Sequence, residues 1–408
     1  MDRANDGSSL SELQAGSLSR ASDVFQLLRN GRPWTRAELA TSTGLSRSTV
    51  STRVDLLLSS GLVGFVGQAL SSGGRPPTRI AFRPQARTVL AVDVGARHVR
   101  VALTDLSGRQ IDEELIAMPV SAGPEAVLGQ IVASGRRLLD RRSSIDSGLA
   151  GVGIGLPGPV EHSTGRPVKP PIMPGWDGFD VVKFVQNYLP VPVLVDNDVN
   201  IMAIGERAAH WQDVDDLLFI KVATGIGGGI ISGGQLKRGA DGTAGDLGHV
   251  RVARGAGILC KCGNIGCLEA IASGDAVAQS LTDQGIAAAS GKEVVELAAN
   301  GSIPAIQALR QAGRDIGEVV ATCVNLLNPR LIVIGGSMAA AGEHIMAGVQ
   351  EVVAHRSAPL ATANLRIALS LARDHAAIMG ASQLVSQFVL SPAGIEAALS
   401  NPAFATTA

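Results

Sequence analysis

TVLAVDVGARHVRVALTDLSGRQI, Thr88 to Ile111, is the stretch on which the fold turns. It reads as an apolar strand, a turn at Asp93-Val94-Gly95, an alternating second strand and a hairpin at Leu106-Ser107-Gly108. About 130 residues later DDLLFIKVATGIGGGIISGGQL, Asp215 to Leu236, repeats the theme with a Gly-rich turn, Thr224 to Gly229. Two such units imply a duplicated α/β body of two lobes, not a single Rossmann unit.

The surrounding sequence fits that body. GLAGVGIGLPGPV, Gly148 to Val160, is a buried strand running into a Gly-Pro loop. VPVLVDNDVNIMAIGERAAH, Val191 to His210, is a strand, the polar knot Asp196-Asn197-Asp198, then a helix. NPRLIVIGGSMA, Asn328 to Ala339, supplies a further buried strand that ends at Gly335 and Gly336. Any one glycine run is most simply a tight turn. Three at strand ends, with a carboxylate-amide knot among them, predict a cleft for a nucleotide or a sugar, because open α/β sheets place ligands there.

Composition narrows the class. A chain of 408 residues with net charge −1 and 46% hydrophobic residues can bury two or three cores, which excludes disorder as the default. No run reads as a membrane span, and the Ser-rich start lacks a signal-peptide pattern, so the expectation is a cytoplasmic protein without a membrane partner. The charge is uneven: Met1 to Arg83 holds ten Arg and no Lys against six acids, a net of +4, which leaves −5 for the rest. A basic head on an acidic body predicts that the head meets a polyanion.

That head has a recognisable grammar. ASDVFQLLRNG is a helix with Val24, Leu27 and Leu28 on one face. TRAELATSTGLSRSTVSTRVDLLLSSGLV gives helix, Gly44 turn, helix, with a capping box at Thr35 and Glu38 and a cap at Ser46. Val50, Val54, Leu57 and Leu58 form the inner face of the second helix. The outer face and its start carry Ser46, Arg47, Ser48, Thr49, Ser51 and Arg53, donors suited to phosphates and base edges. Two short strands around SSGGRPPTR form a wing whose Arg75 is placed to enter a minor groove. Together they predict a winged helix-turn-helix that binds double-stranded DNA.

Four cysteines in so long a chain do not make a disulfide framework. Cys323 lies on an apolar helical pattern and reads as a core thiol, but Cys260, Cys262 and Cys267 crowd one loop, with His249 upstream and Glu269 just beyond. A Cys3His set with no open position is the donor set of structural zinc, although thiol redox chemistry uses similar spacings. Such an ion would pin a Gly-rich loop and fix the position of Glu269.

AGDLGHV followed by CKCGNIGCLEA resembles the signature of the ROK family (repressors, open reading frames and kinases), and the likeness extends from the head to VIGGS. It implies an actin-like, sugar-kinase type of paired lobes behind the winged helix. Members with such a head are sugar-controlled repressors, dimers or tetramers, and members without it are mostly sugar kinases. The resemblance makes Asn197, Asp198, Asp246, His249 and Glu269 sugar ligands, Asp198 being the base in kinases. His249 would also bind zinc, one ring nitrogen for each role.

Two departures stand out. Asp246 replaces the family's usual Glu. The first phosphate loop, where kinases have Asp-x-Gly-Gly-Thr, reads Asp93-Val94-Gly95-Ala96-Arg97. The exchange removes a flexible step and a hydroxyl donor, so the nucleotide loops at Asp93, Gly95, Thr224, Gly225, Gly227, Gly228, Gly335 and Gly336 are expected to be vestigial and phosphoryl transfer lost. The alternative is an ATP-dependent sugar kinase carrying a DNA-binding head. Expected boundaries are a leader over 1–16, the head over 17–84, lobe 1 over 88–200 with a C-terminal helix returning to it, lobe 2 over 201–390, and a tail over 391–408.

Overall fold

The computed structural model describes residues 20–68, 77–142 and 148–400. Arg75, the 1–16 leader and the last eight residues lie outside these.

The head comprises α1 (Ala21–Leu28), α2 (Arg36–Thr43), α3 (Arg47–Ser59) and the antiparallel strands β1 (Val63–Gln68) and β2 (Thr78–Phe82). Its local signals act as the sequence implies. Thr35 and Glu38 close a reciprocal capping box, at 2.7 Å and 3.2 Å. Gly44 ends α2 in the left-handed region, at φ 70°, where a side chain would be strained. Ser46 caps α3 by accepting from Thr49 N at 3.1 Å. Val50, Val54 and Leu57 are fully buried. On α1, however, Phe25 is buried alongside Val24 and Leu28 while Leu27 is half-buried, because α1 is covered from two sides.

The second cover comes from the far end of the chain. Helix α14, Pro392–Ser400, packs against α1, and its Ile395 is fully buried in the head's own core. Ser22 N donates to Glu396 Oε1 at 3.0 Å, and Gln26 Nε2 to the Leu390 carbonyl at 2.9 Å. Val89, Leu106, Ala150 and Val385 join that core from the base of lobe 1. Head, lobe 1 and C-terminus thus share one apolar cluster, and the stretch expected as a tail contributes α14 to it.

Both lobes carry a five-stranded sheet of the same order. In lobe 1 the strands are β3 (Thr88–Val94), β4 (Val99–Asp105), β5 (Gln110–Ile116), β6 (Leu149–Leu156) and β9 (Val193–Asn197), ordered β5-β4-β3-β6-β9; the short hairpin β7 (Val160–Glu161) and β8 (Arg166–Pro167) lies apart. In lobe 2 they are β10 (Leu217–Val222), β11 (Ile226–Ser232), β12 (Gln235–Lys237), β13 (Leu331–Gly335) and β14 (Arg366–Leu369), ordered β12-β11-β10-β13-β14. Each sheet is an antiparallel three-strand meander joined to two parallel strands. The duplication read from the two hairpins is therefore the architecture. The central strands β3, β6, β10 and β13, buried on both faces, explain the unbroken apolar runs.

Helices α4 (Pro124–Asp140) and α5 (Val181–Gln186) cover lobe 1. Lobe 2 is covered by α7 (Glu269–Ala272), α8 (Gly274–Asp283), α9 (Gly291–Ala299), α10 (Ile303–Leu327), α11 (Glu343–Arg356) and the short α12 (Pro359–Thr362). Between the sheets lie α6 (Asp198–His210) and α13 (Ala376–Val389). They cross at Gly205 and Gly380, where a Cβ on either residue would strike the other helix's backbone. The expected boundary at 200/201 falls inside α6, which starts at the end of lobe 1's last strand and packs on lobe 2.

Candidate functional site

The thiol loop comes together as a compact donor set. One donor atom from each of His249, Cys260, Cys262 and Cys267 lies within 4.8 Å of all the others. His249 Nδ1 is 3.7 Å from Cys260 Sγ, and Cys262 Sγ is 3.7 Å from Cys267 Sγ. A tetrahedral ion with bonds of about 2.0–2.3 Å needs donor separations of this size, so these residues fit a bound zinc. Burial and the neighbouring thiols push Cys267 up to about 12, so this thiol resists ionising without a cation, and a divalent ion would reverse that preference. Arg254 anchors the loop to α10, its Nε lying 2.9 Å from both carboxylate oxygens of the buried Asp315.

From this anchor the other predicted ligands follow in space. With Nδ1 turned to the cysteines, His249 Nε2 lies 4.0 Å from Asp246 Oδ1, and Asp246 is about half exposed. Glu269 opens α7 and accepts from Ile226 N at 3.0 Å. Its carboxylate fills the space where a Cβ at Gly225 would sit. Arg97, Thr224, Lys261, Glu269, Ser273 and Asp275 line a cleft of about 740 Å³.

Asn197 and Asp198 are not on that wall. Asn197 caps α6, accepting from Val199 N at 2.9 Å and Asn200 N at 3.3 Å, and donates to the Gly158 carbonyl at 3.0 Å. One of its amide hydrogens is left for a ligand. Asp198, 3% exposed, is held by the Lys221 ammonium. Burial pushes its carboxyl above the usual range, against the pull of Lys221. Burial also works against the Lys221 ammonium, but the carboxylates of Asp198 and Asp93 hold it above its ordinary range.

The glycine loops prove to be packing sites as well as turns. Gly227 meets Val199 of α6, Gly228 N donates to the Gly245 carbonyl at 2.7 Å, and Gly335 meets the Phe219 ring. Gly336, at φ 87°, lies over the Val222 carbonyl. In lobe 1, Gly95 N donates to the His98 carbonyl at 2.8 Å, and His98 Nε2 lies 3.9 Å from Asp93 Oδ2. Arg97 reaches across to Asp275 Oδ1 at 3.3 Å, and Lys261 pairs with the same carboxylate at 3.5 Å.

On α3, Arg47 and Ser48 are exposed, while Thr49, Ser51 and Arg53 are half-buried. Ser46 is exposed but occupied, bonding Ser48 Oγ at 2.9 Å and Thr49 Oγ1 at 2.8 Å. The exposed Thr52, one turn after Ser48, belongs to the same surface. Its position i+4 from Ser48 was the available signal. Lys221 and Arg238 also escaped sequence reading. Arg238 runs from lobe 2 to the buried Asp196 of lobe 1, Nε to Oδ2 at 2.7 Å. A lone Lys inside the apolar run LLFIKV was a visible sign of the first; nothing in the sequence paired Arg238 with Asp196.

Among the described residues, no helix is long and apolar enough to cross a membrane. Comparison with known proteins matches the ROK family over residues 89–388 and the IclR helix-turn-helix domain over residues 17–67. The chain is 29% identical over 382 residues to the xylose repressor of Caldicellulosiruptor bescii, covering 90% of this chain and 95% of the repressor. It is 28% identical over 321 residues to the glucokinase of Halalkalibacterium halodurans, covering 74% of this chain and 96% of the kinase. A crystal structure of a ROK family transcriptional regulator, a homologue of the E. coli MLC protein, superimposes with a TM-score of 0.81 at 24% identity, covering 93% of this chain and 98% of that one. The last likeness speaks for the fold; the glucokinase aligns with a smaller share of this chain than the xylose repressor does.

Proposed function

The chain belongs to the ROK family, and from that premise we propose that it is a DNA-binding transcriptional regulator, a repressor of carbohydrate genes controlled by a sugar in the interlobe cleft. Its head, over 17–84, binds a palindromic operator as part of a dimer. Ser46, Arg47, Ser48, Thr49, Ser51, Arg53 and Arg75 face the duplex. Asn197, Asp198, Asp246, His249 and Glu269 hold the sugar, and zinc on His249, Cys260, Cys262 and Cys267 is structural.

The observation that carries this reading is the continuity between cleft and head. Helix α6 begins at Asp198, crosses α13 at Gly205 and Gly380, and α13 leads through Leu390 into α14, which shares the head's core. A sugar that draws the lobes together shifts α6 against α13. The shift passes to α1 and alters the spacing of the two heads of a dimer, which must match half-sites a fixed number of helical turns apart. Asp198 acts as a sugar ligand and not as a base, and the protein binds without turning over. The repressor likeness over 90% of the chain supports this over a kinase.

The test is anisotropy of the purified protein on DNA from upstream of its own gene, titrated with free and phosphorylated sugars without ATP. Specific binding changed by one sugar is the expected result. Binding that no sugar alters, or, in a separate assay with ATP and magnesium, sugar-dependent ADP release abolished by Asp198→Asn, would overturn the proposal.

A further inference from the structure

Lys221 is a charge on a strand whose other five residues, Leu217 to Ile220 and Val222, are buried. Its side chain is 21% exposed and that of its partner Asp198 4%. It extends from the central strand of lobe 2 to the first turn of α6, with Asp93 of β3 adding its field and His98 standing 3.9 Å from Asp93. Strand, helix and opposite lobe therefore meet at one ammonium and two carboxylates.

We infer that Lys221 is a specificity-determining residue of the cleft, an internal cation that adapts its floor to uncharged sugars and keeps Asp198 from acting on them. This rests on the interlobe cleft being the sugar site. Asp198 Oδ2, one of the two oxygens a sugar hydroxyl could use as proton acceptor, already accepts from the ammonium, which lowers the basicity of the whole carboxylate. A hydroxyl arriving there meets a donor and an acceptor side by side, which suits binding and opposes deprotonation. The two carboxylates outnumber the ammonium, and Glu269 and Asp246 add negative charge. The nearby cations Arg97 and Lys261 are both turned to Asp275, and Arg238 to Asp196. A phosphate or carboxylate on the sugar would enter a field of its own sign.

The experiment compares the full chain with Lys221→Met, which keeps the stem and removes the charge, and with Lys221→Met/Asp198→Asn, which removes both charges. Thermal unfolding is followed from about pH 7.5 to about pH 4.5, across the carboxylate range. In Lys221→Met, Asp198 loses its counter-charge, so folding must favour its protonated form more strongly. The stability difference from the native chain is then small below the carboxylate range and opens as pH rises through it. The expected Tm loss is about 5 °C or more at the higher pH, falling to under about 2 °C at the lower, with most of it recovered in the double variant. In calorimetric titrations of the native chain, D-xylose, D-glucose and N-acetyl-D-glucosamine are tested beside glucose 6-phosphate and glucuronate. The best neutral sugar should bind at least about tenfold tighter than either anion, and Lys221→Met should lose about tenfold for it.

A Tm of Lys221→Met equal to the native value at both pH limits would overturn the charge network. Tighter binding of an anionic sugar, or unchanged neutral-sugar affinity in Lys221→Met, would overturn the specificity. The Tm pattern with no sugar bound by the native chain would instead remove the sugar reading of the cleft, and the specificity with it.

Discussion

The two lobes present the same hairpin to the cleft and arm it differently. In lobe 2 the β10–β11 turn carries only the short, uncharged side chains of Ala223 and Thr224: Ala223 N donates to the Gly225 carbonyl at 2.9 Å, and Glu269 fills the space beside Gly225. In lobe 1 the corresponding β3–β4 turn carries Arg97 and His98, and its guanidinium crosses to Asp275 of lobe 2. Equal topology has not kept equal chemistry. The lobe 2 turn is locked to the thiol loop through Glu269, whose carboxylate holds the space beside Gly225, whereas the armed turn ends in an exposed ion pair that solvent screens. Duplication sets where a tip lies, and the few residues at the tip decide what it does.

This asymmetry can be broken most severely at the anchor of lobe 2. Cys267→Ser removes a buried donor from the Cys3His set. Bound zinc, measured by elemental analysis, should fall from one per chain to near zero, and Tm should drop by more than about 5 °C, with sugar response lost. A chain that never held zinc, or a variant with unchanged metal content, would break the account of the loop.

Gly225→Ala tests the lock itself. The new methyl meets the mobile end of Glu269, so the carboxylate moves while the fold persists. Sugar affinity should fall about tenfold, the cost of a lost hydrogen bond to a charged group, with Tm changed by less than about 2 °C. The smallest effect belongs to lobe 1. Arg97→Thr removes a surface pair worth at most about 1 kcal/mol, so sugar affinity should stay within about fivefold of native. If Arg97→Thr were the more damaging of the two tip substitutions, the comparison between the lobes would be inverted.

Much of this was legible in the sequence because its physics is local. Caps at Thr35, Glu38 and Ser46, the paired hairpins and the crowded thiols are set by residues within a turn or a loop of one another. What stayed hidden depends on long-range packing. Ser22, polar yet fully buried, is covered by a helix some 370 residues away, and no periodicity within α1 announces that. Lys221 shows as an oddity in an apolar strand, but only the folded lobes reveal Asp198 as its partner. Likewise the glycine runs read as ligand loops, while Gly227, Gly228 and Gly335 also serve close contacts that sequence cannot display.

The central claim is that cleft and head are one coupled unit, and coupling is reciprocal. The measurement that tests it most directly is calorimetric sugar affinity of the free protein and of the same protein saturated with operator DNA. The account predicts that operator changes sugar affinity by the factor by which sugar changes operator affinity, about fivefold or more. Equal sugar affinity in the two states would contradict it.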